Sequence, residues 1–442
     1  MIAENLNGGA TPSWHANCHT RVAFPGGPEE RDLSAPVLQS QTQIHPQHSQ
    51  NFLMMWSMHT KVQDLTTDGK TASPSTTGQR PPLKILIMHR DSDVLGGVEK
   101  YFLKIRDKFT EPKEYFTMGR RPGEEGSTAM TVRMISDYWR FILLLMKRRF
   151  DLIHMNPSID QKSFFRDGVF HLICRIFRQK TLIFFRGWYT VFEATIRRRP
   201  WLFRLFYAQA DGFIVMSSEY EGLIRDWGAR SIIFRECAVA DDAELTGFDI
   251  DQTLAERERA NEWRLLFAAR VTRDKGIYEL PQAVSLLQKE VDNVRLIIAG
   301  DSPELDDVKK FIGDLGIDRV VFTGYVTGAE KDRLFKTSHI FCLPTYYEGF
   351  PNAVVEAMAV GLPIVTRSVG GLKDFFVSRT HGFITDSKDP IVFTDFLKEL
   401  ITNPILYRQV SLNNYRYSQE HFLASRAAAR LQEIYKAVVT RS

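Results

Sequence analysis

Apolar and polar positions are arranged differently in the first eighty residues and in the rest of the chain. The segments "LQSQTQIHPQHSQ" and "TTDGKTASPSTTGQRPP" are rich in Gln, Ser, Thr and Pro and show no apolar periodicity. Such segments cannot bury enough surface to offset the entropy of ordering. The pattern predicts a disordered extension over 1–80, with Met58 as an alternative start inside it. From Leu83 onward, short apolar runs alternate with amphipathic stretches. "LKILIMH" reads as a first strand, and "DSDVLGGVEKYFLKIRDKF" as a Gly-rich loop that opens a helix. Further strands are expected at 150–155, 180–185, 211–216 and 231–237, with helices at about 128–149, 163–178, 199–209 and 217–227.

A polar stretch, 241–262, reads as an inter-domain connection. After it a second alternating series begins with "WRLLFAARV", "VRLIIAG", "RVVFTGYV" and "IFCLPT". These strands are apolar throughout rather than alternating, as in parallel sheets covered by helices on both faces. The expected fold class is α/β, with two doubly wound, Rossmann-like domains facing a central cleft, at 81–245 and 246–421. A last helix, about 422–442, is expected to pack back on the first domain. In sheets of this kind ligands bind outside the carboxyl ends of the strands.

Composition narrows the function classes. The 442 residues are 44% hydrophobic and 25% charged, with a net charge of +4 and a pI near 8.7. That is globular and mildly basic, and no nucleic-acid-binding motif accompanies the basic clusters, so nucleic acid is not an expected partner. The cysteines, Cys18, Cys174, Cys237 and Cys342, form no zinc-type or disulfide-type spacing, which suits a reducing compartment. No run reaches the ~20 apolar residues of a membrane span, the longest, Phe141–Met146, being far shorter. The N-terminus has no secretory pattern. A cytoplasmic location is expected. Two segments mix arginines with large apolar residues, "WRFILLLMKRRF" (139–150) and "IRRRPWLFRLFY" (196–207). Each reads either as a core helix with basic residues toward solvent or as an interfacial helix on the inner face of a membrane.

Candidate chemistry concentrates in "YYEGFPNAVVEAMAVGLPIV". Pro351 suits the first turn of a helix and Gly361 its end. The free amides near Phe350–Ala353 would then face whatever lies before the helix, and a helix N-terminus attracts anions. Glu348 sits just ahead of that helix and Glu356 one turn inside it. A ligand with both phosphate and vicinal hydroxyls fits this spacing. The alternative is two solvated charges. Upstream, "LLFAARVTRDKGIYEL" places Arg270 at a strand's carboxyl end and Lys275 with Gly276 at the next helix start. Two cations there suit a diphosphate, although a basic surface loop reads the same way. Gly300 ends a further strand, and it and Tyr325 are candidates to line a nucleobase pocket.

These residues carry a family resemblance. "ARVTRDKG", "PTYYEGFPNAVVEAMAVGLPIVTRSVGGLKDFF", "ILIMHRDSDVLGGVEKYFLKI" and "ADGFIVMSSEY" resemble the GT4 family of retaining glycosyltransferases, of GT-B fold, over about residues 83–440. The resemblance implies a nucleotide-sugar donor in the second domain and a saccharide or lipid-linked acceptor in the first. By it, Arg270 and Lys275 hold the donor diphosphate, Glu356 the ribose and Glu348 the sugar hydroxyls. Gly349, Phe350, Asn352 and Ala353 contact sugar and phosphate through their backbone, while Gly96 and Gly97 approach the phosphates from the first domain. It also implies retention at the anomeric carbon, no metal and no cofactor, with surface polysaccharide or glycoconjugate synthesis as the setting. The sequence departs from the pattern at Arg186, where many relatives carry histidine. Arg186 and His154, at the end of a strand, are the acceptor-side candidates, with a core or rim position as the equal alternative for His154. Two other readings share the scaffold: a nucleotide-sugar epimerase-like enzyme, and a sugar-nucleotide-binding protein of impaired catalysis. A nicotinamide-dependent dehydrogenase is disfavoured, since "GGVEKY" is not GxGxxG.

Overall fold

The computed structural model describes residues 81–90, 97–119 and 127–441. The expected extension at 1–80, with Met58 inside it, and Gly96 lie outside the described residues. In the first half, runs with β-branched and aromatic residues form β1 (Ile85–Arg90), β2 (Glu114–Met118), β3 (Leu152–Met155), β4 (Ser158–Ile159), β5 (Thr181–Phe184), β6 (Gly187–Trp188), β7 (Gly212–Val215) and β8 (Ile232–Arg235). Six of them make one sheet in the order β2-β1-β3-β5-β7-β8, with every pair parallel. The second half contributes β9 (Trp263–Ala268), β10 (Val294–Ala299), β11 (Val320–Gly324), β12 (Ile340–Leu343), β13 (Ile364–Arg367) and β14 (Gly382–Thr385). They form a second parallel sheet, β11-β10-β9-β12-β13-β14.

This is the expected α/β class. Each half has its own apolar core, the first around Ile87, Ile153 and Phe213, the second around Leu265, Phe341 and Val355. In the second sheet the chain order reverses between β9 and β12. The crevice at such a reversal, above the carboxyl ends of the strands, is where open α/β sheets bind ligands. β2 was not expected from the sequence. It is an edge strand with two exposed residues at its start, so its apolar signal is weak.

Two corrections concern the connections. The stretch 241–262 is not a bare linker, because it contains a helix, Ile250–Arg259, begun by Asp249, whose carboxylate accepts from the amides of Asp251 and Gln252. Arg257 of this helix is buried and donates to the carbonyls of Phe335, Lys336, Val360 and Gly361. One guanidinium thus satisfies the open carbonyl ends of two helices, Gly328–Thr337 and Asn352–Ala359. Secondly, the helix expected at 199–209 is shorter, Trp201–Phe206, and follows a separate helix, Thr190–Arg198. Pro200, between them, lacks the amide that would continue the first.

The chain passes between the halves twice, and the two passages touch. Ala240 bridges Leu423 in parallel, donating to the carbonyl of Phe422 at 2.8 Å and accepting from the amide of Ala424 at 2.9 Å. The last helix, Ala424–Thr440, then lies on the first half, where Ala427, Leu431, Ile434 and Val438 are buried in its core.

Candidate active site

Three segments meet at the carboxyl end of the second sheet. The first follows β9: Arg270 is exposed and its carbonyl accepts from the Thr272 amide at 2.9 Å, and a short turn, Arg273–Lys275, comes next. Gly276 ends this turn at φ +74, and a Cβ there would come within 2.2 Å of the Pro344 carbonyl oxygen. Only glycine lets the turn approach the segment after β12 so closely. The contact is fixed by the amide of Tyr346, which donates to Asp274 O at 2.8 Å. As a result the largely buried Lys275 reaches Glu348 at 2.8 Å and the carbonyl of Tyr347 at 3.2 Å.

The second segment, after β12, carries Glu348, Gly349 and Phe350 into the helix Asn352–Ala359. Pro351 stands as its cap and Gly361 follows it at φ +71. No side chain caps its start, so the first-turn amides of Asn352 and Ala353 face the crevice unclaimed. The third segment, after β13, supports the loop from beneath. A Cβ on Gly370 would lie 2.1 Å from Glu348 O and one on Gly371 2.4 Å from Met216 O. The amide of Gly371 donates to Gly349 O at 2.8 Å. Beside it Asp374 accepts from the Ser218 amide and hydroxyl of the first half, at 2.7 and 2.5 Å.

Glu356 answers to both halves. Its Oε1 lies 2.7 Å from Lys104 Nζ, on the helix Gly97–Ile105 of the first half, and 3.3 Å from Lys331 Nζ of the second. Lys331 also pairs with Glu244 at 3.1 Å, and Lys104 donates to the carbonyl of Val239 in the first passage between the halves. Burial pushes the Glu356 carboxyl up, but Lys104 and Lys331 outweigh it and hold the group below the usual carboxylate range. Burial is also the largest influence on Lys331, lowering it, yet Glu356 and Glu244 leave it raised. The result is an anionic, hydrogen-bond-accepting side chain one helical turn behind an anion-attracting helix start.

Other sequence candidates sit differently. Gly300 is required by packing, since a Cβ would stand 1.9 Å from the Ala269 carbonyl oxygen where β10 leaves the sheet beside β9. Tyr325 is exposed and takes a 3.1 Å hydrogen bond from Lys100 of the first half. Gly97 begins the helix that bears Lys104. His154 does not line the crevice. It is wholly buried in β3, shares a 2.7 Å hydrogen bond with the Tyr435 hydroxyl, and burial drives its pKa down to about 3. Arg186 turns its guanidinium inward over the Tyr101 ring at 3.7 Å and toward Phe184 at 4.8 Å. Its backbone carbonyl would lie 3.9 Å from a Cβ on Gly349. Lys104, Lys331, Glu244 and Asp374 escaped sequence reasoning, because their partners lie scores of residues away and no local spacing marks them.

Residues 250–417 match the family model described as Glycosyl transferases group 1. An uncharacterized glycosyltransferase of Methanocaldococcus jannaschii is 35% identical over 29% of this chain and 33% of its own. The putative teichuronic acid biosynthesis glycosyltransferase TuaC of Bacillus subtilis is 28% identical over 44% of this chain and 45% of its own. The chain thus spans less than half the length of these curated relatives. Among solved structures, sucrose-phosphate synthase from Thermosynechococcus elongatus superposes with a TM-score of 0.65 at 18% identity, over 82% of this chain and 100% of that one. That likeness shows a shared two-domain fold.

Proposed function

We propose, for a chain that belongs to the group 1 glycosyl transferases through its second half, the transfer of a sugar from a nucleotide-sugar donor to a saccharide or lipid-linked acceptor, with retention at the anomeric carbon. The observation that carries this reading is the convergence, at the chain reversal of the second sheet, of a buried lysine paired with Glu348, a helix start with free amides and the ionised Glu356. Lys275 and Arg270 would hold the diphosphate, Glu356 the ribose hydroxyls, and Glu348 with the amides after Gly349 the sugar. No metal or cofactor takes part.

In the reaction the bond from the anomeric carbon to the diphosphate oxygen breaks, and a bond to the acceptor hydroxyl oxygen forms on the same face. The acceptor's proton passes to the departing phosphate, and a nucleoside diphosphate leaves. Positioning and stabilisation of the leaving charge then supply the rate. The acceptor enters from the first half, which meets the site through Lys104, Ser218 and Tyr220. Teichuronic acid synthesis, the process named for the B. subtilis relative, favours surface polysaccharide assembly as the setting.

Thermal shift with UDP, GDP, ADP and their sugars tests the donor site, because a ligand that binds only the native state raises Tm. One nucleoside diphosphate is expected to stabilise the protein, and Glu356→Gln to weaken its affinity about tenfold, since a charged acceptor becomes a neutral one. No shift with any of these nucleotides at millimolar concentration would remove the reading.

A further inference from the structure

The helix Ser127–Lys147 carries two apolar faces, and only one of them is buried. Phe141 and Leu145 enter the core of the first half. On the opposite side, Val132, Ile135, Trp139, Leu143 and Met146 recur every three or four residues, which places them in a single row. All five are exposed, Trp139 at 61% and Met146 at 69%. The row is about 21 Å long at 1.5 Å per residue. It ends in Lys147, Arg148 and Arg149, each exposed. The one carboxylate on this helix, Asp137, is buried and paired with Arg140. Beyond the basic run the surface continues onto the neighbouring helix Gln161–Ile176: Phe177 just after it shares a cavity with Leu145 through Arg149, and Ile176 is 78% exposed.

We propose that this face docks on an anionic lipid bilayer. A row of Trp, Leu, Ile and Met flanked by cations matches the boundary between acyl chains and headgroups, where aromatic rings and basic side chains each find their own depth. The charge selects the occupant. A second copy of this chain would add another basic run, whose neighbouring carboxylate, Glu114, is already paired with Arg148 at 2.9 Å, whereas anionic headgroups complement the charge that Lys147 and Arg149 leave unengaged among the described residues. Among the described residues no helix is long and apolar enough to cross a membrane, so the helix lies along the surface. Docking would hold the protein at the plane from which a lipid-linked acceptor is presented, but it stands independently of the transfer reading and is measured without donor or acceptor.

The test is flotation of the full chain with vesicles of phosphatidylcholine alone and of phosphatidylcholine with about 30% phosphatidylglycerol. The protein is expected to float with the anionic vesicles at low ionic strength, to be released by high salt and to ignore the neutral ones. Trp139→Ser with Leu143→Ser is expected to lower partitioning at least about tenfold. Lys147→Gln and Arg149→Gln are each expected to lower it about fivefold. All four side chains are exposed, so unchanged thermal unfolding accompanies each loss. Wild-type protein left in the lipid-free fraction with both vesicle types overturns the proposal. So does equal flotation of wild type and variants, or a dimer abolished by the serine variants in a protein that ignores vesicles.

Discussion

Replacing Lys275 by alanine is expected to slow sugar transfer by about 10²–10³ in kcat, the usual consequence of removing one preorganised group that stabilises developing charge. Lys275 is held for that task. The Gly276 turn presses against Pro344, the ammonium is largely buried, and its bonds to Glu348 and the Tyr347 carbonyl fix its direction. Water cannot readily replace a cation in such a place, so the leaving diphosphate would lose a counter-charge where the local dielectric is low. A competing explanation is that Lys275 merely neutralises Glu348. The double variant Lys275→Ala with Glu348→Gln separates the two, because it removes the carboxylate that the single variant leaves without its partner. If neutralisation were the whole role, the double variant would be as fast as Glu348→Gln alone. The expectation is that it is slower than Glu348→Gln by a similar factor. Steady-state kinetics at saturating donor, with unfolding curves for each variant, decide the matter. A single variant within threefold of wild-type kcat would dismiss Lys275 from the reaction.

The parts of the fold legible in sequence were those specified by local chemistry. The helix Asn352–Ala359 could be placed almost to the residue, because Pro351 and Gly361 bracket it and each has a backbone reason to be there. The parallel sheets were legible from unbroken apolar strands such as Leu296–Ile298. What was not legible depends on which surfaces meet. Lys104 and Lys331 are ordinary charges on amphipathic helices until tertiary packing brings both to Glu356. His154 at a strand end reads equally as a cleft or a core residue, and the returning helix with Tyr435 decides for the core. The helix Ser127–Lys147 is apolar on two sides, so its periodicity cannot say that Phe141 goes inward while Trp139 stays out. Arg186 looked like a charge for a ligand, but the Tyr101 ring beneath it gives the guanidinium a partner inside the first half.

Arg430→Ala is expected to destabilise the protein by about 3–5 kcal/mol, the cost of leaving one member of a buried ion pair behind. The guanidinium grips Glu236 with two bonds, 2.7 and 2.8 Å, and donates to the carbonyl of His421 at 2.9 Å. Glu236 begins the first passage between the halves and His421 precedes the second, so this one side chain clamps the two strands that join at Ala240 and Leu423. The Glu236 side chain is only 1% exposed, and once Arg430 is gone its carboxylate has no route to water without moving the passage. If the loss comes from that stranded charge rather than from the pair's net attraction, deleting both charges should be mild. Arg430→Met with Glu236→Leu is therefore expected to recover most of the stability, as apolar replacements of buried pairs often do, whereas Arg430→Met alone is not. Urea unfolding of the three variants measures each term. A single variant within 1 kcal/mol of wild type, taken as roughly the scale of an exposed pair, would mean that the clamp is solvated and that the passages are held by the backbone bonds of Ala240 and by Asp242 with Ser425.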